Sequence, residues 1–255
     1  MLDYHASPDL LNDKVILITG AGDGIGREAA LSYGAHGATV ILLGRTVKKL
    51  EAVYDELLAQ GSPEPAIIPL DLQGATKQHY LDMAETLKQQ FGRLDGVLFN
   101  AGHLAVLGPF EMIGEDDWDK VMQINVKSQF LMTQALLPLL KATPNSSIVY
   151  TSSGVGKQGR AYWGSYAVSK FATEGMMEVL ADELDNTTVR VNCINPGATR
   201  TGMRAQAYPG EDPATLRTPQ EIIPLYLYLM GSDSQHISGQ SLDAQPDKIR
   251  PRARQ

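Results

Sequence analysis

Short apolar runs alternate with longer stretches of mixed polarity along almost the whole chain. The runs at 14–19 (KVILIT), 39–43 (TVILL), 66–70 (AIIPL), 96–100 (GVLFN), 147–151 (SIVYT) and 189–194 (VRVNCI) are largely apolar at consecutive positions. That pattern predicts strands covered on both faces, because a strand with one wet face would alternate apolar and polar residues. A shorter strand is expected at 240–243. The stretches between them, at 25–35, 47–60, 76–91, 116–140, 162–184 and 219–230, have helix length. Strand–helix–strand repetition predicts a parallel sheet with right-handed crossovers. The expected fold class is therefore α/β: a single-domain, Rossmann-like, doubly wound parallel sheet of about seven strands with helices on both faces.

No composition break or long linker divides the chain. Residues 1–255 are expected to form one domain, with an N-terminal arm over about 1–12 and a basic tail over about 246–255. The 255 residues are 43% apolar and 20% charged, an ordinary globular mix that can bury a large core. With 22 basic and 29 acidic residues the net charge is −7. Such a chain exerts no general pull on nucleic acid or anionic lipid, so neither is an expected partner. The single cysteine, Cys193, excludes an intrachain disulfide. No run has membrane-spanning length, and the start lacks the basic and apolar regions of a secretory signal. A cytoplasmic location is expected. The five histidines are not paired at ligand spacing, so no metal site is expected.

Candidate chemistry begins after the first run, with Thr19-Gly-Ala-Gly-Asp-Gly-Ile-Gly26. Glycines allow a tight turn and close approach of backbone to a ligand. The helix that follows offers unpaired N–H groups and a positive dipole end, which suits a pyrophosphate. The spacing is T-G-x-x-x-G-x-G through Gly20, Gly24 and Gly26, and Arg27 falls where the G-x-G-x-x-G pattern would need its last glycine. Such a turn can be purely structural. Its position between a first strand and a first helix is what points to a dinucleotide. The second run ends Leu42-Leu43-Gly44-Arg45, with no carboxylate to bind a ribose 2′-hydroxyl. A guanidinium there can grip a 2′-phosphate, so Arg45 favours NADP(H) over NAD(H).

The segment 152–170 reads SSGVGKQGRAYWGSYAVSK. Tyr166 and Lys170 are four apart and share one face of a helix, and Ser153 ends the fifth strand. This set fits interconversion of a carbonyl and an alcohol, in which a hydroxyl proton must move as hydride moves. A phenol can exchange that proton if its pKa falls from about 10 toward about 7, a shift of roughly 4 kcal/mol. An ammonium about 4 Å away, at an effective dielectric near about 20, supplies a term of that size. The serine hydroxyl can orient the substrate oxygen.

Together these residues resemble the short-chain dehydrogenase/reductase family from about Lys14 to about Gly239. Thr19–Gly26 looks like the family's cofactor turn, and Asp71-Leu72 like the pair that meets the adenine. Asn100-Ala101-Gly102 is similar to its N-A-G signature, with Phe99 where an asparagine often stands. Pro196-Gly197 followed by Thr201 resembles the segment that holds the nicotinamide amide. Carried over residue by residue, the resemblance implies cofactor contacts from Gly20, Asp23, Gly24, Ile25, Gly26 and Arg45. It implies further ones from Asp71, Leu72, Asn100, Ala101, Gly102, Pro196, Gly197, Thr199 and Thr201, with Tyr166 and Lys170 shared. It implies a catalytic set of Asn125, Ser153, Tyr166 and Lys170, in which Asn125 holds a relay water. Within the family, RAYWGSYAVSKFATEGMMEVLADE, NCINPGATRTGMRA and DAQP resemble a bacterial subgroup of YciK-type oxidoreductases.

The resemblance also implies a homodimer or homotetramer. A dimer would use the long helices at 116–140 and 162–184, which carry Phe130, Met132, Leu136, Phe171, Met176 and Met177. The family's glycine pair near the final strand, in a region often at a subunit interface, is missing from 238–246. The partner expected in the cleft is a small carbonyl or alcohol. Gly154, Gln158, Tyr162 and Trp163, plus the loop after Thr201, are its expected wall, and that loop, 202–218, is long enough to act as a lid. Arg204 on that loop is a candidate for an anionic substrate group, with a solvated arginine the alternative. A non-catalytic, dinucleotide-binding regulator is the alternative function: it needs the turn and Arg45 but not Ser153, Tyr166 and Lys170 together.

Overall fold

The computed structural model describes residues 3–248. The strands are β1 (Val15–Thr19), β2 (Thr39–Gly44), β3 (Ala66–Pro69), β4 (Gly96–Phe99), β5 (Ser147–Thr151), β6 (Arg190–Asn195) and β7 (Gln240–Asp243). They form one parallel sheet in the order β3-β2-β1-β4-β5-β6-β7. Both faces are covered, as the continuous apolar runs predict. Alternate strand residues go to opposite sides: Leu17, Ile41, Val97 and Ile148 join one core cluster, and Ile16, Val40, Leu98 and Val149 join the other.

The helices α1 (Gly24–Ala35), α2 (Val47–Ala59) and α9 (Pro219–Met230) pack on one face. On the other lie α3 (Lys77–Phe91), α5 (Ser128–Ala142) and α7 (Gly164–Glu183). Local chemistry sets their ends. Thr76 and His79 close a capping box on α3, and Gly92 ends it at φ +68°. Thr218 and Glu221 do the same for α9, whose first residue is Pro219.

The chain runs from β1 outward to β2 and β3, then returns to β4 on the other side of β1. That reversal opens a crevice at the C-terminal ends of β1 and β4, the place where open α/β sheets bind ligands.

Several expectations need correction. The helix expected at 116–140 is α4 (Glu115–Met122) joined to α5 by a π-helical turn, Gln123–Lys127. Such turns insert one residue into the helical ladder and often mark functional positions. The helix expected from 162 begins at Gly164, because Tyr162 takes φ +73° in a turn. The expected loop 202–218 contains α8 (Gly202–Ala207) and a 3-10 turn at Pro213–Thr215. The N-terminal arm is anchored at separate points: Leu10 and Leu11 are buried, and Tyr4 meets Tyr228 edge-on and hydrogen-bonds Asp233. Of the expected basic tail, Pro246–Lys248 forms a 3-10 turn, and 249–255 lie outside the described residues. Among the described residues no helix is long and apolar enough to cross a membrane.

Candidate active site

A cleft of about 610 Å³ opens at the crevice. Its floor is the turn after β1. A Cβ on Gly26 would lie 2.3 Å from the Gly20 carbonyl oxygen and 2.6 Å from Asn100 Nδ2, so only glycine fits there. Gly20 and Gly24 take φ +67° and +54°. Asp23 caps α1 by accepting from the Gly24 N–H at 2.8 Å and pairs with Lys49. Ile25 lines the cleft beside it. The result is a bare backbone concavity in front of a helix N-terminus.

Thr19 holds the next segment. Its hydroxyl oxygen accepts from the N–H groups of Asn100 and Ala101, each at 3.0 Å. Asn100 Oδ1 accepts from the Thr151 hydroxyl at 3.3 Å, which ties the ends of β4 and β5 together. Ala101 and Gly102 continue the wall, with Asp71 and Leu72 from beyond β3 at its far end. Arg45 is exposed at the end of β2, lines the cleft and makes no side-chain hydrogen bond or ion pair with any described residue. Lys49, in the first turn of α2, lines the same end, and a lysine in an ordinary amphipathic helix gives no signal of that in the sequence.

The opposite end is held by Pro196 to Thr201. Gly197 takes φ +71° and donates to Asn195 Oδ1 at 3.1 Å. Buried Gln245 donates to the carbonyls of Pro196 and Ala198 at 2.8 and 3.1 Å. Thr199 donates to Pro196 O at 3.2 Å, and Thr201 caps α8 by accepting from Arg204 N. Gln245 belongs to the DAQP stretch, and only the tertiary structure shows it to be the brace of this segment.

Tyr166 and Lys170 both face the cleft and are buried, with 7% and 3% exposed. Lys170 Nζ donates to the Thr151 carbonyl at 2.7 Å and lies 5.6 Å from the centre of the Tyr166 ring. Ser153 caps the short helix α6 (Gly154–Lys157) by accepting from Val155 N at 3.5 Å, and the Tyr166 phenol donates to Met203 Sδ at 3.9 Å. The expectation that Lys170 lowers the phenol's pKa is not met in this structure. Burial pushes Tyr166 up to about 12, with the nearby Ser153 hydroxyl acting in the opposite direction. Burial also takes Lys170 down to about 8, opposed by Cys193 and Glu174. Desolvation disfavours each charged form and is the largest cause of both shifts.

Asn125, in the π turn, is fully buried and does not line the cleft. Its Oδ1 accepts from His103 N at 2.7 Å, and its Nδ2 donates to His103 O and Ser169 Oγ, both at 3.0 Å. Both amide hydrogens are spent on protein, so the side chain has no N–H left for a relay water. Of the expected substrate wall, Trp163 and the loop after Thr201, through Met203, Arg204, Gln206 and Ala207, line the cleft, whereas Gly154, Gln158 and Tyr162 do not; Tyr162 is 63% exposed, carried outward by its left-handed turn. Arg204 is not solvated: it makes a two-pronged pair with Glu211 at 2.5 and 2.6 Å and lies over the Tyr208 ring. Glu174, one turn beyond Lys170, was also overlooked. It is buried and accepts from the hydroxyls of Ser152 and Ser241. Among the described residues no group of three or more His, Cys, Asp or Glu is placed to hold a metal ion.

A doubly wound parallel sheet with a glycine-floored cleft at its switch point defines a Rossmann-type nucleotide-binding protein. The model of the short chain dehydrogenase family matches residues 14–212. The chain belongs to this family of oxidoreductases. It is 53% identical over 247 residues to the uncharacterized oxidoreductase YciK of Escherichia coli K12, covering 97% of this chain and 98% of that one. It is 32% identical over 238 residues to the 3-oxoacyl-[acyl-carrier-protein] reductase FabG of Thermotoga maritima, covering 90% and 95%. A Shigella flexneri 2a strain 301 protein complexed with NADP superposes with a TM-score of 0.92 at 54% identity, covering 94% of this chain and 100% of that one.

Proposed function

We propose that this chain is a single-domain, cytoplasmic, NADP(H)-dependent reductase of carbonyl compounds that works as a homodimer or homotetramer. The observation that carries the reading is the convergence of Ser153, Tyr166 and Lys170 on one cleft whose floor admits only backbone. The residues fit a dinucleotide: the glycine concavity and the start of α1 suit a pyrophosphate, and unpaired Arg45 suits a 2′-phosphate. The NADP complex of the Shigella protein supports the same preference. Bound there, the cofactor supplies or takes up the hydride.

The chain's own groups do the rest. Ser153 donates to the substrate oxygen and orients it. Tyr166, held neutral by burial, is a proton donor at neutral pH, which favours the direction from carbonyl to alcohol. Lys170, fixed on Thr151 O, places positive charge where the phenolate forms. Asn125 holds the segment at His103 in place, and through it the wall of the cleft. Tyr166→Phe is expected to abolish NADPH oxidation with any carbonyl substrate, leaving NADPH affinity within about threefold. Normal turnover by that variant would refute the role.

A further inference from the structure

The cleft's substrate end is apolar, and the one arginine beside it among the described residues is paired with a carboxylate. Around the Tyr166 ring pack Leu104 and Val155, with Trp163, Met203 and Ala207 against them. Trp163 lies 5.8 Å from the Tyr166 ring and 6.0 Å from the Tyr208 ring, so an aromatic row runs from the proton donor to the segment after α8. Among the described residues the cations lining the cleft are Arg45, Lys49, Lys170 and Arg204. Arg45 and Lys49 stand at the opposite end, beside β2, and Lys170 is bonded to Thr151 O. Arg204 is held by both Glu211 oxygens, with its guanidinium 3.9 Å from the centre of the Tyr208 ring. Gln206 donates its amide to Leu104 O at 3.4 Å.

Among the described residues a carboxylate or phosphate on a substrate would find no available cation here. To reach Arg204 it would have to displace a two-pronged, partly buried carboxylate, the geometry in which arginine is held best. From this we infer that the natural substrate is an uncharged ketone or aldehyde bearing a bulky apolar group, which Trp163 contacts, and that Glu211 excludes anionic carbonyl compounds by occupying Arg204. This rests on the reductase reading above and names its substrate class.

The test compares an uncharged aryl ketone with a 2-oxo acid of the same aryl group, using NADPH-loaded protein. The kcat/KM for the neutral ketone is expected to exceed that for the acid by at least tenfold. Glu211→Gln is expected to narrow the ratio at least fivefold, and Glu211→Gln with Arg204→Gln to restore it. Binding is read separately from Trp163 fluorescence in a Trp118→Phe background, with NADP bound: the neutral ketone quenches it and the acid does not. An acid used as well as the neutral ketone, a ratio unmoved by Glu211→Gln, or no quenching by the neutral ketone overturns the inference. Quenching without turnover supports it, and sinks the reductase reading instead.

Discussion

At the scale of single residues, the cleft is governed by desolvation. Lys170 titrates near 10.5 when exposed and at about 8 in its buried place. Between those values the unfolded chain binds more protons than the folded one, so this residue makes stability rise with pH across that window. The unfolding free energy of the wild type, relative to Lys170→Met, is expected to increase by about 1.4 kcal/mol per pH unit from pH 8 to 10. Denaturant titrations at several pH values measure this, and a flat difference would contradict the assignment. Arg45 differs in kind: exposed and without a side-chain partner among the described residues, it costs little to remove. Arg45→Ala is expected to raise the Kd for NADPH at least tenfold and that for NADH less than threefold. Equal losses in a calorimetric titration would remove the 2′-phosphate assignment.

At the scale of elements, α7 is the backbone of the site. Tyr166, Lys170 and Glu174 recur at intervals of four, one below another, and the sheet edge is tied to the lowest of them. Glu174 accepts from Ser152 at the end of β5 and from Ser241 in β7. Lys157 donates to Ser241 O at 2.9 Å and pairs with Asp243, which accepts from Asn195 at 2.7 Å. In this chain the last strand, which lacks the family's glycine pair, thus carries polar side chains that brace α7. Glu174→Gln keeps the shape and loses the charge that favours protonated Lys170. The alkaline limb of the kcat/KM profile is expected to move to lower pH by about half a unit or more. A residue with a structural role alone would leave that limb in place.

At the scale of the molecule, the two long helices divide their apolar residues between core and surface. Met132, Leu136 and Met177 are buried inside, so they cannot serve an interface. Phe130 and Phe171 remain 48% and 46% exposed, and Val168 and Val179 on α7 add to that surface. Pairing of two copies through α5 and α7 would cover them. Phe130→Ser combined with Phe171→Ser is expected to shift sedimentation toward the monomer with little change in far-ultraviolet circular dichroism. An unchanged sedimentation coefficient would place any interface elsewhere.

The strands and most helix ends were legible in the chain itself, because apolar periodicity, capping residues and glycines act over a few neighbours. The T-G-x-x-x-G-x-G turn and the spacing from Ser153 to Lys170 were legible for the same reason: each depends on one turn or one helix face. What the chain could not show is set by residues far apart in sequence. The π turn at Asn125 and the bracing of Pro196 by Gln245 depend on partners from other elements. The raised Tyr166 and lowered Lys170 depend on how completely the fold excludes water, and the pairing of Arg204 depends on where α8 brings it relative to Glu211. Periodicity along a strand or helix is a local property, but burial and the pairing of charges exist only once distant segments meet.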